Sequence, residues 1–242
     1  MRGLTLVCFA VKQEAEPFRQ LAASRSHVSI LLTGMGRRNA EAALLPRLQG
    51  IIRGASRGLP SNTDASLPRP HEVALAVIPA LVLTCGFAGA LRSDLTLGTV
   101  VFDADPEARL EAALLPAGAK PARFHCADRV VATATEKRGL RQTTGADAVE
   151  MESQAIRDLC RRKGLPSATV RVILDGAQED LVLDFNRVMT SDWRIDPRKL
   201  VLALARSPGK ILAMLRLQEQ TRLAASKLAG VLAEIVRART VL

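Results

Sequence analysis

The sequence has few of the aromatic residues on which many nucleic-acid-binding surfaces depend. Its 242 residues include no tyrosine and one tryptophan, and aromatic residues make up only 3%. Proteins that bind single-stranded nucleic acid usually stack bases on aromatic side chains, so this composition disfavours nucleic acid as a partner. The formal charge of +10 keeps open a basic protein that binds nucleic acid or an anionic membrane surface. Charge that simply maintains solubility explains it equally well.

Long hydrophobic runs are also missing, because no uninterrupted stretch reaches the roughly 18 to 20 apolar residues of a membrane span. The apolar run Leu4–Ala10 is short and is followed at once by Lys12, Glu14 and Glu16. It has no clear cleavage site, so we interpret it as a first buried strand and not as a signal peptide.

The cysteines show no pattern of a metal site or a disulfide framework. No two of them form a CxxC pair, and all four are far apart: Cys8, Cys85, Cys126 and Cys160. This spacing favours buried, reduced thiols in a reducing compartment. We therefore expect a cytoplasmic protein without a bound metal ion.

Several catalytic signatures are absent from the sequence. There is no Gly-x-Ser-x-Gly elbow, no Walker phosphate loop and no Rossmann glycine fingerprint. His27, His71 and His125 have no nucleophile at a recognisable spacing. These absences disfavour serine hydrolases, nucleotide triphosphatases and dinucleotide-dependent enzymes.

Apolar runs alternate with amphipathic segments along the chain. This alternation predicts one α/β domain over residues 1–242, with a central, mixed but largely parallel twisted sheet covered by helices. The predicted strands are Leu4–Ala10, Val28–Thr33, Leu81–Thr84, Thr99–Asp103, Ala122–Ala127 and Ser167–Leu174, and the predicted helices are Glu14–Ala23, Asn39–Arg53, Glu136–Gln142 and Ser153–Arg162.

Two segments differ from this pattern. Residues 54–72 are rich in glycine, serine and proline and predict a mobile surface loop. Residues 208–239 predict a C-terminal helical tail, in which Pro208 suits the first turn. One face of the tail is apolar and the other is basic, so it could pack on the domain, on a partner subunit or on an anionic membrane. We favour packing, because apolar stripes more often mark a core or an interface.

Three carboxylates stand near strand ends, where open α/β sheets bind their ligands. Glu14 follows the first predicted strand, Glu152 precedes a helix, and Asp175 ends the strand Arg171-Val172-Ile173-Leu174. Each of them alone could equally be a helix cap or a solvated acid. The sequence around all three makes them candidate site residues.

That surrounding sequence resembles the nucleoside phosphorylase and 5′-methylthioadenosine/S-adenosylhomocysteine nucleosidase family. The similar segments follow the family order: Ala10-Val11-Lys12-Gln13-Glu14, Thr33-Gly34-Met35-Gly36-Arg37, Gly86-Phe87-Ala88-Gly89-Ala90, Val149-Glu150-Met151-Glu152 and Arg171-Val172-Ile173-Leu174-Asp175. The Glu-Met-Glu segment is the most specific, whereas a glycine turn alone is a weak signal. The resemblance spans residues 1 to about 186 and implies the α/β fold of the family.

The resemblance implies cleavage of the N-glycosidic bond of a purine nucleoside. Asp175 would protonate the leaving base, and Glu14 would take a proton from an attacking water. Glu152 would accept hydrogen bonds from the ribose and favour the cationic sugar. The remaining implied substrate-binding residues are Glu150 and Met151, Phe87, Ala88 and Gly89 of the base and sugar pocket, and Val130, which stands where the family has a stacking aromatic residue.

Besides Val130, the sequence departs from the family at two further positions, and both bear on the reaction. Leu174 and Phe87 replace serines of the nucleosidases, which leaves a catalytically inactive family member as an alternative. The phosphate-gripping residues of the phosphorylases are also absent. Phosphate could instead bind at Gly34 and Gly36 with Arg37, since glycine turns before helices attract anions. Hydrolysis and phosphorolysis therefore both stay open, and inorganic phosphate is the only co-substrate considered; no other cofactor is expected.

A narrower resemblance concerns the segments Asp128–Lys137 and Ser207–Lys210. They are similar to the hopanoid-biosynthesis-associated branch, which implies an adenosyl-hopane lipid as the adenine nucleoside. Family analogy also implies a homo-oligomer. A lipid-borne substrate would suit contact between the basic tail and an anionic membrane.

Overall fold

The computed structural model describes residues 3–55, 79–206 and 209–241. The predicted loop 54–72 therefore lies outside the described residues from position 56 onward. Its first two positions are helical, because the second helix continues to Ala55. Pro208, predicted in the first turn of the tail, also lies outside the described residues.

Strands and helices alternate along the chain as the sequence predicts. The strands are β1 (Leu4–Phe9), β2 (Val28–Leu32), β3 (Pro79–Ala90), β4 (Val100–Ala104), β5 (Lys120–Pro121), β6 (Phe124–Cys126), β7 (Ala148–Glu150) and β8 (Ser167–Asp175). The helices are α1 (Lys12–Ala22), α2 (Arg37–Ala55), α3 (Glu111–Leu114), α4 (Ala134–Thr144), α5 (Ser153–Arg162), α6 (Phe185–Val188), α7 (Pro197–Arg206) and α8 (Lys210–Val241). A short 3₁₀ turn, Pro106–Ala108, precedes α3.

The described strands form one mixed sheet, which confirms the predicted fold class. Its main order is β2-β1-β3-β8-β4-β5, and β7 joins β3 to β6. Strands β2, β1, β3 and β8 are mutually parallel, whereas β4 runs antiparallel to β8 and β7 runs antiparallel to β3. The carboxyl ends of four neighbouring strands therefore meet at one edge, where α/β sheets bind their ligands.

Each face of the sheet is covered by helices because successive side chains of a strand point to opposite faces. On β1, Val7 and Phe9 pack with residues of α1 and α8, whereas Leu6 and Cys8 pack with residues of α2 and α5. The fully buried Phe18 of α1 lies in the first of these clusters. Apolar residues on both faces of β1 thus produce the two layers of core.

The two halves of α8 differ in their surroundings. Leu228, Leu232, Ile235 and Val236 are buried against the sheet and α1. The part of α8 before residue 224 contains no buried residue. The C-terminal half thus packs on the domain. Within the described residues, no helix is both long and apolar enough to cross a membrane.

Two elements differ from the sequence prediction in a way that matters for the site. Strand β3 continues through the small residues Gly86–Ala90, whereas the predicted strand ended at Thr84, because β8 pairs with it as far as Gly89. The segment after Asp175 folds into the short helix α6 and the amphipathic helix α7, neither of which was predicted. The edge formed by these elements and the strand ends contains the site.

Candidate active site

One cavity of about 1570 Å³ opens at the carboxyl ends of the parallel strands. Glu14, Glu152 and Asp175 all line it, although they are far apart in sequence. The cavity is also lined by the other candidate residues Gly34, Phe87, Ala88, Gly89, Val130, Glu150 and Met151. The fold thus brings ten of the twelve candidate residues to one place; Gly36 and Arg37 are the two that do not line it.

Glu14 is held rigidly at the end of β1 by three backbone donors. Its Oε2 accepts from the N–H groups of Ala10 at 3.0 Å and Val11 at 3.1 Å, and its Oε1 accepts from Phe87 N–H at 2.9 Å. Burial raises the pKa of Glu14, and the positive charge of Arg171 together with the backbone donors opposes that effect. A carboxylate with a raised pKa and a fixed orientation is suited to accept a proton.

Arg171 is the central cation of the site and is fully buried on β8. Its Nη2 donates to Glu150 Oε2 at 2.5 Å, to Glu152 Oε2 at 3.2 Å and to Thr84 Oγ1 at 3.2 Å. Its Nη1 donates to the carbonyl of Cys85 at 3.3 Å. This one guanidinium therefore serves several buried acceptors, including two carboxylates.

Position 86 requires glycine because the side chains of Arg171 and Glu14 both lie against the backbone there. A Cβ atom there would lie 2.5 Å from Glu14 Oε1 and 2.6 Å from Arg171 Nη1. Gly86 has φ +147°, which also disfavours other residues. The small-residue stretch of β3 thus lets two charged side chains lie close to its backbone.

Glu150 and Glu152 have different partners, although they are separated by one residue. The carboxylate of Glu150 accepts four hydrogen bonds from the protein. The donors are Arg171, the N–H of Glu152, and the N–H and hydroxyl of Ser153. Glu152 accepts from Gly36 N–H at 2.8 Å and from Arg171. Burial raises the pKa of Glu152 to about 7, with Arg171 opposing this and the charge of Glu150 adding to it.

Burial is the main cause of the raised pKa values of Glu14 and Glu152, and the balance of charge around Arg171 adds to it for Glu152. Three buried carboxylates, Glu14, Glu150 and Glu152, share the single cation Arg171. Ionising all three would leave excess negative charge among buried side chains, which is costly. A proton on Glu152, whose pKa is about 7, relieves this cost, so Glu152 is able to hold and release a proton near neutral pH.

Asp175 ends β8 and is paired with Lys137 of α4. Lys137 Nζ lies 2.5 Å from Asp175 Oδ2, and the lysine side chain is 0% exposed. Lys137 also donates to the carbonyls of Gly176 at 2.8 Å and Glu179 at 2.7 Å. Burial raises the pKa of Asp175, whereas Lys137 lowers it. Because burial favours the protonated carboxyl and Lys137 favours the ionised one, Asp175 can carry a proton and donate it to a leaving group.

The Gly34–Gly36 turn is engaged in ways that bear on the predicted phosphate site. Gly36 N–H donates to Glu152. Arg37 lies beside the cavity and donates to the carbonyl of Cys126 at 3.4 Å and to Gln154 at 3.2 Å. The N–H of Gly36 and the guanidinium of Arg37 thus already have protein partners, and phosphate binding by them stays a prediction.

Trp193 packs on the same turn and lines the cavity. A Cβ at Gly36 would lie 3.1 Å from the Trp193 Cδ1 atom. Trp193 has φ +58°, a left-handed conformation that costs energy for a large residue. A bridge between Met189 and Ile195 closes the short hairpin that carries it, and Asn39 donates to the carbonyl of Asp192 at 3.1 Å.

The two departures from the family also line the cavity. Leu174 and Phe87 are partly buried and pack against the larger core. Val130 is fixed by Asn186, whose Oδ1 accepts from Val130 N–H at 3.0 Å and whose Nδ2 donates to the Val130 carbonyl at 2.8 Å. These apolar side chains make this part of the cavity less polar than serines would.

Sequence reasoning missed Arg171, Lys137 and Trp193. Arg171 had a detectable signal, because a charged residue inside the apolar run Ala168–Leu174 must find buried partners. Lys137 had no such signal, since it lies on an ordinary polar helix. Within the described part of the chain, no three histidine, cysteine, aspartate or glutamate side chains cluster as metal ligands.

Comparisons with known proteins agree with the fold. Residues 102–206 match the family model described as the phosphorylase superfamily. The 5′-methylthioadenosine/S-adenosylhomocysteine nucleosidase from Neisseria meningitidis, in complex with methylthio-immucillin-A, matches with a TM-score of 0.63 at 20% identity, covering 98% of this chain and 99% of its own. The fold is that of the methylthioadenosine nucleosidases. The resemblance predicted from the sequence is confirmed.

Two further structures extend the comparison within the same nucleosidase fold. Futalosine hydrolase of Helicobacter pylori has a TM-score of 0.59 at 16% identity, covering 96% of this chain and 98% of that one. The S. pneumoniae nucleosidase with a transition-state inhibitor has a TM-score of 0.62 at 14% identity, covering 97% and 98%. No curated protein matches the sequence. At these identities the structures show a shared fold.

Proposed function

We propose that this chain cleaves the N-glycosidic bond of a purine nucleoside, with adenine as the leaving base, in the cytoplasm. One observation carries the proposal: Glu14, Glu152 and Asp175 line a single cavity at the carboxyl ends of the parallel strands. Cleavage of this bond produces an oxocarbenium-like sugar and an anionic base, so it needs an acid for the base and negative charge near the sugar.

Asp175 is the proposed general acid. It must be protonated to donate to N7 of the purine, and its burial favours the protonated form. Lys137 limits that effect, so that the proton is held less tightly and is given up more readily as the base acquires negative charge. The ion pair also fixes the direction of the carboxyl group.

Glu152 and Glu14 are the proposed sugar-side residues. Glu152 accepts hydrogen bonds from the ribose hydroxyls, and its charge stabilises the cationic sugar. Glu14 takes the proton from an attacking water, which its three backbone donors orient it to do. Met151 lies beneath the ribose as an apolar support in this arrangement.

Hydrolysis is the favoured form of the reaction. At the glycine turn, Gly36 N–H already donates to Glu152, and Arg37 has partners outside the cavity. A phosphate anion at that turn would have to displace these contacts. Glu14, by contrast, is placed to activate water. Phosphorolysis with inorganic phosphate remains the alternative that the assay below separates.

The outer wall of the cavity supports a substrate with a bulky apolar group on the ribose 5′ side. The volume of about 1570 Å³ exceeds the roughly 300–1,000 Å³ of common ligand pockets. Its apolar lining includes Leu181, Phe185, Met189, Ile195, Met214 and Leu217. An adenosyl-hopane lipid is the specific substrate that we propose for this space.

The test is release of free adenine from adenosine and from methylthioadenosine, each with and without inorganic phosphate. Adenine in both conditions supports hydrolysis, and adenine only with phosphate supports phosphorolysis. A third substrate with a long alkyl group at the 5′ position should be cleaved with a lower KM if the apolar wall binds it. No adenine from any of these nucleosides would favour an inactive family member or a basic binding protein.

A further inference from the structure

Residues 197–218, which we call the amphipathic segment, carry an unusual number of exposed large apolar side chains. They comprise α7 and the first part of α8, and residues 207–208 between these helices lie outside the described residues. Val201 is 66% exposed, Leu212 57% and Leu215 58%. None of the described residues from 190 to 223 is buried. These apolar side chains thus have no covering layer in the described part of the chain.

On α7 the exposed apolar residues lie on one side of the helix. Pro197, Val201 and Ala205 are spaced by four residues, and Arg198 and Leu202 follow the same spacing. Residues four apart lie one above the other on a helix. All five line one shallow apolar groove. Such a face has the form of a docking surface, not of scattered surface leucines.

The charges of the amphipathic segment have one sign. It contains five basic residues, Arg198, Lys199, Arg206, Lys210 and Arg216, and neither aspartate nor glutamate. A second copy of this chain would present the same basic face, and a two-fold interface would bring like charges together. Anionic headgroups are complementary to this charge, and their acyl region is complementary to the leucines.

The amphipathic segment is also continuous with the mouth of the cavity. Leu215 and the neighbouring Ile195 line the cavity and are half or more exposed. Met214 and Leu217, which flank Leu215 on α8, line the cavity as well. An apolar path therefore leads from the exposed helices into the site.

We propose that the amphipathic segment docks this protein on an anionic lipid surface, with the mouth of the cavity facing that surface. The apolar side chains of α7 and early α8 insert at the boundary between headgroups and acyl chains, and the five cations bind the headgroups. This inference goes beyond the proposed function, since it concerns where the protein binds and does not depend on which bond it cleaves.

The test is co-flotation of the full chain with vesicles, in the absence of any nucleoside. We expect binding to vesicles of phosphatidylcholine mixed with phosphatidylglycerol and little binding to phosphatidylcholine alone. High salt should weaken binding, because it screens the charge attraction. Replacing Arg206→Gln and Lys210→Gln together should weaken it by about fivefold per charge removed. Equal binding to both vesicle types, or no binding to either, would overturn the proposal.

Variants separate the amphipathic segment from apolar and basic surface in general. Val201→Ser with Leu202→Ser should abolish flotation. Leu21→Ser with Leu115→Ser, two leucines that are each 51% exposed elsewhere, should leave it unchanged. The control for the Arg206→Gln, Lys210→Gln variant is Arg19→Gln with Lys163→Gln, which removes the same number of charges elsewhere and should leave flotation unchanged. Sedimentation of the Val201→Ser, Leu202→Ser variant must match that of the original chain. If the original chain and the control variants sediment as dimers and the Val201→Ser, Leu202→Ser variant sediments as a monomer, this face joins two copies of the chain. The lipid proposal would then be wrong.

Discussion

Lys137 and Asp175 form a buried ion pair that links helix α4 to the end of the central sheet. The Lys137 Nζ atom lies 2.5 Å from Asp175 Oδ2 and also donates to the carbonyls of Gly176 and Glu179. The ammonium group thus makes one ion pair and two hydrogen bonds, all with residues at or just after the end of β8. Lys137 is therefore a positioning residue for the proposed acid, and it acts on the pKa of Asp175 as well as on its direction.

Replacing Lys137→Met should lower the free energy of unfolding by about 3 kcal/mol at neutral pH, since it leaves a buried carboxylate without its cation. The effect should depend on pH. Without Lys137, burial raises the pKa of Asp175 further above its unfolded value. A group whose pKa is raised by folding contributes stability at low pH and loses it as pH increases through the folded pKa. Urea denaturation should therefore show a smaller loss at pH 5 than at pH 8.

The double variant Lys137→Met with Asp175→Asn is the control for this explanation. It removes the carboxylate that lost its partner, so it should recover part of the stability and lose the pH dependence. If the single and double variants were equally unstable at every pH, the ion pair would not be the cause. The loss would then come from the two carbonyls that Lys137 binds.

The pH dependence of kcat/KM should show a fall on the acid side with a midpoint near pH 7. Burial raises the pKa of Glu152 to about 7, with Glu150 adding to this. Glu152 must be ionised to stabilise the cationic sugar, so activity should decrease as pH drops through that value. Glu152→Gln should lower kcat/KM and remove this limb. If the acid-side fall of kcat/KM is unchanged in that variant, the fall would be assigned to Glu14, whose pKa is also raised by burial.

Arg171→Met should be among the most destabilising single substitutions in the chain. It would leave Glu14, Glu150 and Glu152 buried without their cation, at a cost of about 3–5 kcal/mol or more. Arg157→Met is the comparison, because the Asp103 and Asp105 side chains that Arg157 binds are 47% and 29% exposed and can be solvated by water. Thermal or urea unfolding of both variants should show a clearly larger loss for Arg171→Met.

Gly36→Ala should weaken binding of substrate, and the single tryptophan provides the readout. The new Cβ would lie 3.1 Å from the Trp193 Cδ1 atom, next to the N–H that orients Glu152. Gly118→Ala is a matched control, because Gly118 has φ +82° against +83° for Gly36 but nothing within 4 Å of its Cβ position. Both variants carry the same backbone strain of about 1–3 kcal/mol. Tryptophan fluorescence and nucleoside affinity should change only in Gly36→Ala.

Much of the sheet could be predicted because its strands are encoded by local apolar runs. Leu4–Phe9 and Ser167–Asp175 are buried on both faces, so they appear in the sequence as nearly continuous apolar stretches. Helix α5 agrees with its predicted bounds, since Ile156, Leu159 and Cys160 mark a buried helical face. The convergence of three carboxylates followed from the topology rule and from the family resemblance.

The remaining features depend on contacts between distant segments, which a local pattern does not contain. Lys137 is buried because acceptors at Gly176 and Glu179 close over it, and nothing in Ala134–Thr144 encodes them. Trp193 has a left-handed backbone, which a large residue disfavours, and its ring lies beside Gly36, which is far away in sequence. Strand β3 continues through Gly86 because β8 pairs with it, which overrides the weak strand preference of small residues.

The most direct test of the central claim is release of adenine by the original chain and by Asp175→Asn, measured side by side by chromatography. We expect cleavage by the original chain and a loss of about 10²-fold to 10⁴-fold in kcat for Asp175→Asn, the usual contribution of a general acid. Near-equal denaturation curves would show that the fold is kept. Turnover by Asp175→Asn close to that of the original chain would contradict the account, because the proposed acid would then not take part in the reaction.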